Sequence, residues 1–329
     1  MFINKDEISA REQGKHSYNV SDYDFLTGLN KQLLPLEKDL LDVNVTEEFS
    51  NIFILGLPRS GTTLLSQIIF NNLDLACTNN LIARFWESPL SGTHLSKIVL
   101  GDAKPDSYNS KYAATDSILS PHEFAYFWRK QFLSFDVTTS YPQSRIKEID
   151  WANFRIILLN MNRICGKGLV HKPLEITGYY LETFLTQFKK SIYVYIRRDV
   201  EDVAVSIAKA RLEHYNTLDR WWGTFPVEYP QLADKNYADQ IAGQLYHLKK
   251  MYDANCQKFM DTGRIIVVDY KDVCKDPQKL LSEITAKVKA VSGNELKQVN
   301  DIQPLKDSTP SIAEDIRENL KKSLKSYFK

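Results

Sequence analysis

Cysteine is scarce in this chain: Cys77, Cys165, Cys256 and Cys274 are the four in 329 residues, and no two form a Cys-x-x-Cys pair. That scatter points to neither a disulfide framework nor a cysteine zinc site, and the four are expected to be plain thiols. None of the six histidines stands at metal-ligand spacing from another. Charge of one sign is not in excess either. A formal net charge of +1 with 25% charged residues argues against a general nucleic-acid binder, while leaving room for a local basic pocket. Long hydrophobic runs are missing: no apolar stretch approaches the roughly 18 residues of a membrane span. The opening Met1-Phe-Ile-Asn-Lys-Asp6 lacks the apolar core of a signal peptide, so a cytoplasmic protein with no membrane span is expected. Internal repeats and low-complexity segments are absent as well.

What is present is a chain with 43% hydrophobic residues, long enough for one large α/β domain or two smaller ones. Residues 1 to 20 are polar and expected to be loosely held. From Tyr23 to Leu41 the spacing of Phe25, Leu26, Leu29, Leu33, Leu36 and Leu40 predicts helical packing, interrupted near Pro35.

The most informative stretch runs from Asn51 to Phe70. Ile52 to Leu55 is a short apolar run closed by Gly56 and Pro58, as in a strand buried on both faces of a parallel sheet. Leu64, Leu65, Ile68 and Ile69 then recur at helical spacing. The loop between, Gly56-Leu-Pro-Arg59-Ser60-Gly61-Thr62-Thr63, is placed to aim backbone N–H groups and hydroxyls at an anion on a helix N-terminus. Its two glycines have P-loop spacing, but Thr62-Thr63 replaces the Lys-Ser/Thr that follows in a P-loop. The nearest cation is Arg59, whose planar fork suits a phosphate or a sulfate. Taken alone, such a loop also reads as an ordinary strand-to-helix turn.

A second strand-loop-helix follows the same logic. Tyr193 to Ile196 favour a strand, Asp199 is placed to cap a helix, and Val200, Val203, Ala204 and Ile207 share one helical face. Arg198 at the strand end and Ser206, eight residues later, are then able to converge on one anion. Between the two units, Leu169 and Val170 form a short strand that Pro173 ends, leaving Lys172 and Glu175 at its carboxyl end. Gly178 to Phe188 reads as the crossover helix that follows. Later, Arg264 to Asp269 is a strand, and Asp276-Pro277 starts another helix. The aromatic-rich stretch from Cys77 to Phe135 shows no clear strand; within it, Ser120-Pro-His122-Glu123 is predicted to open a helix, with Ser120 capping and Glu123 closing a capping box. Its aromatic residues suit either the walls of a pocket or the core of a helical subdomain.

Leu57-Pro-Arg-Ser-Gly-Thr-Thr63 resembles the 5′-phosphosulfate loop of sulfotransferases that use 3′-phosphoadenosine-5′-phosphosulfate (PAPS), with the Arg found in Golgi-type and many bacterial members. The Arg198 and Ser206 pair resembles that family's 3′-phosphate motif, at the same separation. Tyr270 stands where the family places a tyrosine near the nucleotide. The motif-bearing regions are roughly 51 to 72 and 167 to 290. The resemblance implies a single domain over 1–329, a parallel β-sheet flanked by helices in a P-loop-NTPase-like α/β fold. A helical, aromatic-rich insertion at 77–160 is expected to form the acceptor pocket.

The implied reaction moves a sulfuryl group from PAPS to a hydroxyl or amine of a small-molecule, lipid, polyketide or sugar acceptor, releasing adenosine 3′,5′-bisphosphate and requiring no metal. Arg59, Ser60, Gly61, Thr62 and Thr63 are expected at the 5′-phosphosulfate, and Arg198, Ser206 and Tyr270 at the rest of the nucleotide. The general base is expected to be Glu175, which falls where other members carry a histidine; His122 and then Glu123 follow, ahead of Glu87 and His94. Lys172 is the expected donor to the sulfate or bridging oxygen. Asn79-Asn80 occupies the place of the Glu of the tyrosine-sulfating branch, which disfavours a protein-tyrosine acceptor. Two departures stand out: Leu64 replaces the adenine-stacking Trp of cytosolic members, and their Arg-Lys-Gly segment near the C-terminus is absent. Two other classes are weighed: an ATP-dependent kinase, with Asp269 read as a Walker B carboxylate, and a nucleotide-binding scaffold without turnover.

Overall fold

The computed structural model describes residues 20–329 apart from 106, 112–113, 116, 133–142 and 174; the N-terminal positions 1–19 and the end of the aromatic stretch, 133–135, lie outside the described residues. A five-stranded sheet forms its centre, with β1 (Ile52–Gly56), β2 (Ala76–Cys77), β3 (Leu169–His171), β4 (Ile192–Arg197) and β5 (Ile265–Asp269) in the order β2-β3-β1-β4-β5, every pair parallel. Strand β1 is central because it is apolar on both faces, with Ile52 to Leu55 at most 1% exposed. Phe53, Leu55, Tyr193 and Tyr195 point to one layer of helices, and Ile52, Ile54, Ile192, Val194 and Ile196 to the other. Each such residue, fully buried, contributes about 1.5–3 kcal/mol. From β1 the chain runs to β2 and back to β3 on one side, then crosses to β4 and β5 on the other. The carboxyl end of β1, between β3 and β4, is therefore a topological switch point, where open α/β sheets hold ligands.

The helices that position the site are α1 (Thr62–Asn72), α2 (Pro89–Leu100), α3 (Trp151–Cys165), α4 (Val200–Tyr215), α5 (Tyr237–Lys258), α6 (Pro277–Ser292) and α7 (Glu314–Tyr327). Their boundaries follow from chemistry legible in the chain. Asp199 accepts from the amides of Glu201 and Asp202 at the start of α4, and Asp276 from Lys279 at the start of α6. The expected break near Pro35 separates Val20–Gln32 from Leu34–Leu40. The crossover predicted over Gly178 to Phe188 is two short helices, Ile176–Tyr179 and Leu181–Gln187, divided at Tyr180. Helix α7 packs on α4 and α5 through Leu320 and Leu324. Among the described residues no helix is long and apolar enough to cross a membrane. All four cysteines are buried free thiols.

Two expectations for the Cys77 to Phe135 stretch are corrected. It does contain strand: Cys77 ends β2, and Ser110–Lys111 pairs with Ala114–Thr115. The helix expected to open at Ser120 starts instead at Ala125, with Phe124 in the left-handed region at φ 55°. Pro121 bridges to Asn79, and the His122 amide donates to the Thr78 carbonyl at 2.7 Å. That edge pairing holds residues 120–122 extended, so Glu123 closes no capping box. Of the two readings open for the aromatic side chains, pocket wall and core, Phe124, Phe127, Trp128 and Phe132 take the second. Phe127 and Trp128 are at most 1% exposed and stack or abut at right angles with Phe124, Phe154 and each other.

Candidate active site

The loop between β1 and α1 is tied down from within. The Ser60 hydroxyl and amide both donate to the Leu57 carbonyl, at 2.8 and 3.1 Å, and Ser60 is fully buried. Its side chain thus shapes the loop. Arg59 takes the left-handed conformation, φ 69°, which costs a non-glycine residue of order 1 kcal/mol and marks a functional turn. Gly61 is needed for a closer reason: at φ 102° it lies so near Tyr270 that a Cβ there would sit 2.5 Å from the ring. The amides of Thr62 and Thr63 belong to the first turn of α1, which has no intrahelical acceptors for them.

Two groups of side chains meet around this loop. In the first, Arg59 Nε donates to Ser206 Oγ at 3.0 Å, and Arg198 Nη1 donates to the Arg59 carbonyl at 3.3 Å. The Arg198 guanidinium carbon lies 4.1 Å from the centre of the Tyr270 ring, and Arg198 Nη2 donates to the Ser308 carbonyl. Tyr270 and Ser308 share a hydroxyl hydrogen bond at 3.0 Å. Arg59, Arg198, Ser206 and Tyr270 are thus brought together, with Ser308 from the extended chain before α7 as an unforeseen member. In the second group, Lys172 Nζ donates to Thr63 Oγ1 at 2.7 Å and pairs with Glu123 Oε1 at 2.8 Å. Burial pushes the Glu123 carboxyl up, but the Lys172 ammonium outweighs it and holds the group below the usual carboxylate range.

Glu175, 3% exposed and three residues beyond Lys172 in the chain, accepts from Thr224 Oγ1 at 3.2 Å. His122 Nδ1 accepts from the Phe124 amide at 2.8 Å, which leaves the proton of the neutral ring on Nε2; burial lowers its pKa to about 4. Glu87 pairs with Lys130, and His94 is exposed on α2. Asn79 and Asn80 are taken up by Ser96, Thr115 and Ser117. Asp269, the Walker B reading, is held bidentately by Arg197 at 3.1 and 2.9 Å on the edge of the sheet. Trp222, whose ring centre lies 5.9 Å from the Arg59 guanidinium carbon, comes from a stretch whose Trp221-Trp222 pair, followed by Pro226 and Pro230, suits a lid or pocket segment; Thr224 in the same stretch carries no signal of its own.

The model of the sulfotransferase family matches residues 51–289, a span that takes in every member of the two groups except Ser308. This chain belongs to the sulfotransferase family. Its chemistry is therefore the transfer of a sulfuryl group, carried on an α/β fold. Among solved structures, this sulfotransferase is similar to the sulfotransferase STF1 of Mycobacterium tuberculosis, at 16% identity over 95% of this chain and 84% of that one, with a TM-score of 0.51. The sulfotransferase STF9 of Mycobacterium avium gives 14% identity, coverage of 90% and 71%, and a TM-score of 0.45. The sulfotransferase domain of the Synechococcus olefin synthase gives 16%, 74% of each chain and 0.40. No curated protein matches this sulfotransferase. A cavity at the β2 edge, lined by Phe70, Cys77, Asn79, Ser96, Lys104 and Cys165 among others, has none of Arg59, Arg198, Ser206, Lys172, Glu123 or Glu175 in its lining.

Proposed function

We propose that this sulfotransferase uses PAPS as donor and transfers its sulfuryl group to a hydroxyl of a small organic acceptor. The observation that carries the reading is the placing of two separate sets of anion-binding groups on one loop: Arg59, Arg198 and Ser206 on one side, Thr63 and Lys172 on the other. One anionic group does not need both sets; a nucleotide with a 3′-phosphate and a 5′-phosphosulfate does. Arg198 and Ser206 would hold the 3′-phosphate, beside Tyr270. The first-turn amides of α1, the Thr62 and Thr63 hydroxyls and Lys172 would hold the phosphosulfate. Bound there, PAPS supplies the activated sulfuryl group and a stable bisphosphate leaving group.

The protein's share of the work is positioning, charge stabilisation and removal of the acceptor's proton. For the last, Glu123 is put forward: it reaches the loop through a single intermediary, Lys172. Glu175, which accepts from Thr224, is the second candidate. His122 is less suited, since its acceptor nitrogen is already engaged by the Phe124 amide. Lys172, between Thr63 and Glu123, is placed to bear charge developing on the bridging oxygen. The domain is read as 1–329 throughout, with the 77–160 region supplying Glu123 to the acceptor side and otherwise packing the core.

Calorimetric titration with adenosine 3′,5′-bisphosphate, beside ADP with Mg²⁺, tests the donor. Metal-independent binding of the bisphosphate, lost in the double variant Arg198→Ala with Ser206→Ala, is the expected result. Binding of ADP with Mg²⁺ alone would overturn the PAPS reading. Binding of the bisphosphate without turnover on any hydroxyl acceptor would reduce the protein to a nucleotide-binding scaffold.

A further inference from the structure

Helix α4 continues past Ser206 to Arg211, the second-largest of the fully buried side chains, with 0% exposure. Nη1 of Arg211 donates to the Leu218 carbonyl and to Gln240 Oε1, both at 2.8 Å. Its other two donor atoms, Nε and Nη2, are buried and have no hydrogen-bond partner among the described residues. The Trp221 indole lies over the guanidinium, 5.5 Å from its carbon to the ring centre, and Trp221 Nε1 is likewise buried without an acceptor. Neighbouring donors of this kind, with no carboxylate bonded to any of them, are costly to bury unless an acceptor meets them. Asp219 is near enough to attract the guanidinium but forms no hydrogen bond with it among the described residues. Burial lowers the Arg211 pKa to about 10, so the group stays charged at neutral pH.

The surroundings state what kind of anion fits. Trp221, Phe225 and Tyr229, all partly exposed, form one aromatic cluster, with Trp221 stacked on Phe225 at 5.4 Å and edge-on to Tyr229 at 4.8 Å. The same short segment then reaches the transfer site: Trp222 lies over Arg59, and Thr224 donates to Glu175. Gln244, on α5 one turn beyond Gln240, holds that segment by donating to the carbonyls of Trp222 and Thr224. One end of the segment thus touches a buried cation and the other touches Glu175 and Arg59 of the transfer site.

We infer that Arg211 and Trp221 form the anion-recognising end of the acceptor site, and that the acceptor is an amphiphilic hydroxy acid: a carboxylate at Arg211, an apolar body on the Trp221, Phe225 and Tyr229 rings, and a hydroxyl directed to the transfer site that Trp222 and Thr224 reach. The assignment rests on the sulfotransferase reading for the hydroxyl end only. Its carboxylate end is tested without turnover.

The five tryptophans give separate indole N–H resonances in nitrogen-15-labelled protein, and Trp221→Phe identifies its own by loss. With adenosine 3′,5′-bisphosphate saturating, the protein is titrated with 4-hydroxyphenylacetate and, separately, with its neutral counterpart 4-hydroxyphenethyl alcohol. A saturable shift of the Trp221 resonance is expected for the carboxylate, with the alcohol binding about tenfold more weakly or not at all. Arg211→Gln should abolish the carboxylate response and leave the affinity for the bisphosphate as it was. Where Arg211→Gln does not fold, Trp221→Phe, which keeps both Arg211 hydrogen bonds, should weaken carboxylate binding about fivefold by calorimetry. No shift of Trp221, equal response to acid and alcohol, or a response that survives Arg211→Gln would each overturn the inference. Failure of the bisphosphate itself to bind counts against the PAPS reading alone, since the same titration on nucleotide-free protein still reads the anion site.

Discussion

The two cationic ends of the site are held in place by different means. Arg198 is held by the carbonyls of Arg59 and Ser308 and by the face of Tyr270, and its Nε is buried with no partner among the described residues. Lys172 is held by a carboxylate, Glu123, and by a hydroxyl, Thr63. A cation satisfied by dipoles keeps its full charge for an incoming anion, so the Arg198 end is built to bind. A cation already paired with a carboxylate brings no net charge, but whatever draws the ammonium away leaves the carboxylate a stronger base. The Lys172 end is built to respond.

The sharpest way to break this contrast is Lys172→Met. Burial is the largest influence on Glu123 and acts to raise its pKa; Lys172 is what reverses it. With the ammonium gone, the acid limb of the turnover profile should move from below the usual carboxylate range to above it. Turnover at neutral pH should fall by about 10²–10³, the usual loss when a charge-stabilising donor is removed. The pH profile of kcat for wild type and variant checks both, and an unmoved acid limb would mean that Glu123 is not the group titrating. At the binding end, Arg198→Ala should cost about 1.5–3 kcal/mol of affinity for adenosine 3′,5′-bisphosphate, while Ser206→Ala, which removes a neutral partner, should cost about 0.5–1.5. Calorimetry on the two single variants orders them, and equal losses would erase the distinction between charge and dipole.

Gly61→Ala probes the hinge between the two ends. Its φ of 102° is unfavourable for any side chain, and its Cβ would press on Tyr270, the residue against which Arg198 lies. A loss of about 1–3 kcal/mol of stability is expected in thermal unfolding. The loss of bisphosphate affinity should accompany it, because Tyr270 must move.

What was legible in the chain was whatever is decided locally. The loop glycines, the Asp199 cap and the Pro173 strand end each follow from chemistry within a few residues, and all three stand where expected. The site's partnerships are not local. Arg59 meets Ser206 across 147 residues and Lys172 meets Thr63 across 109, so only motif order suggested that they share a place. Glu123 shows how a local rule is overridden. Ser120-Pro-His-Glu has every feature of a helix start, yet the bridge of Pro121 to Asn79 and the bond of the His122 amide to Thr78 hold those residues at the sheet edge. Losing the capping box is what frees the Glu123 carboxylate for Lys172.

The same division between matched and unmatched polar groups reaches one residue back along β3, to His171. This imidazole is 1% exposed, stacked at 5.2 Å on Phe53 and edge-on at 5.7 Å to Trp128, and neither nitrogen has a hydrogen-bond partner among the described residues. Burial lowers its pKa to about 3. Its ordinary value in the unfolded chain is about 6.5. Between those two pH values the unfolded chain takes up a proton that the native state refuses, so stability is intact above about pH 6.5 and declines as pH falls, by at most about 1.4 kcal/mol per unit. His122, lowered to about 4, acts in the same direction over a narrower window. His171→Phe places an apolar ring of similar volume among aromatic neighbours, so stability at pH 7 should change little or rise. Its real signature lies in the slope: melting temperatures measured from pH 7 to pH 4 should fall less steeply for the variant, and by the residual amount that His122 still imposes. Parallel curves would mean that His171 is satisfied in solution and that its burial carries no acid penalty.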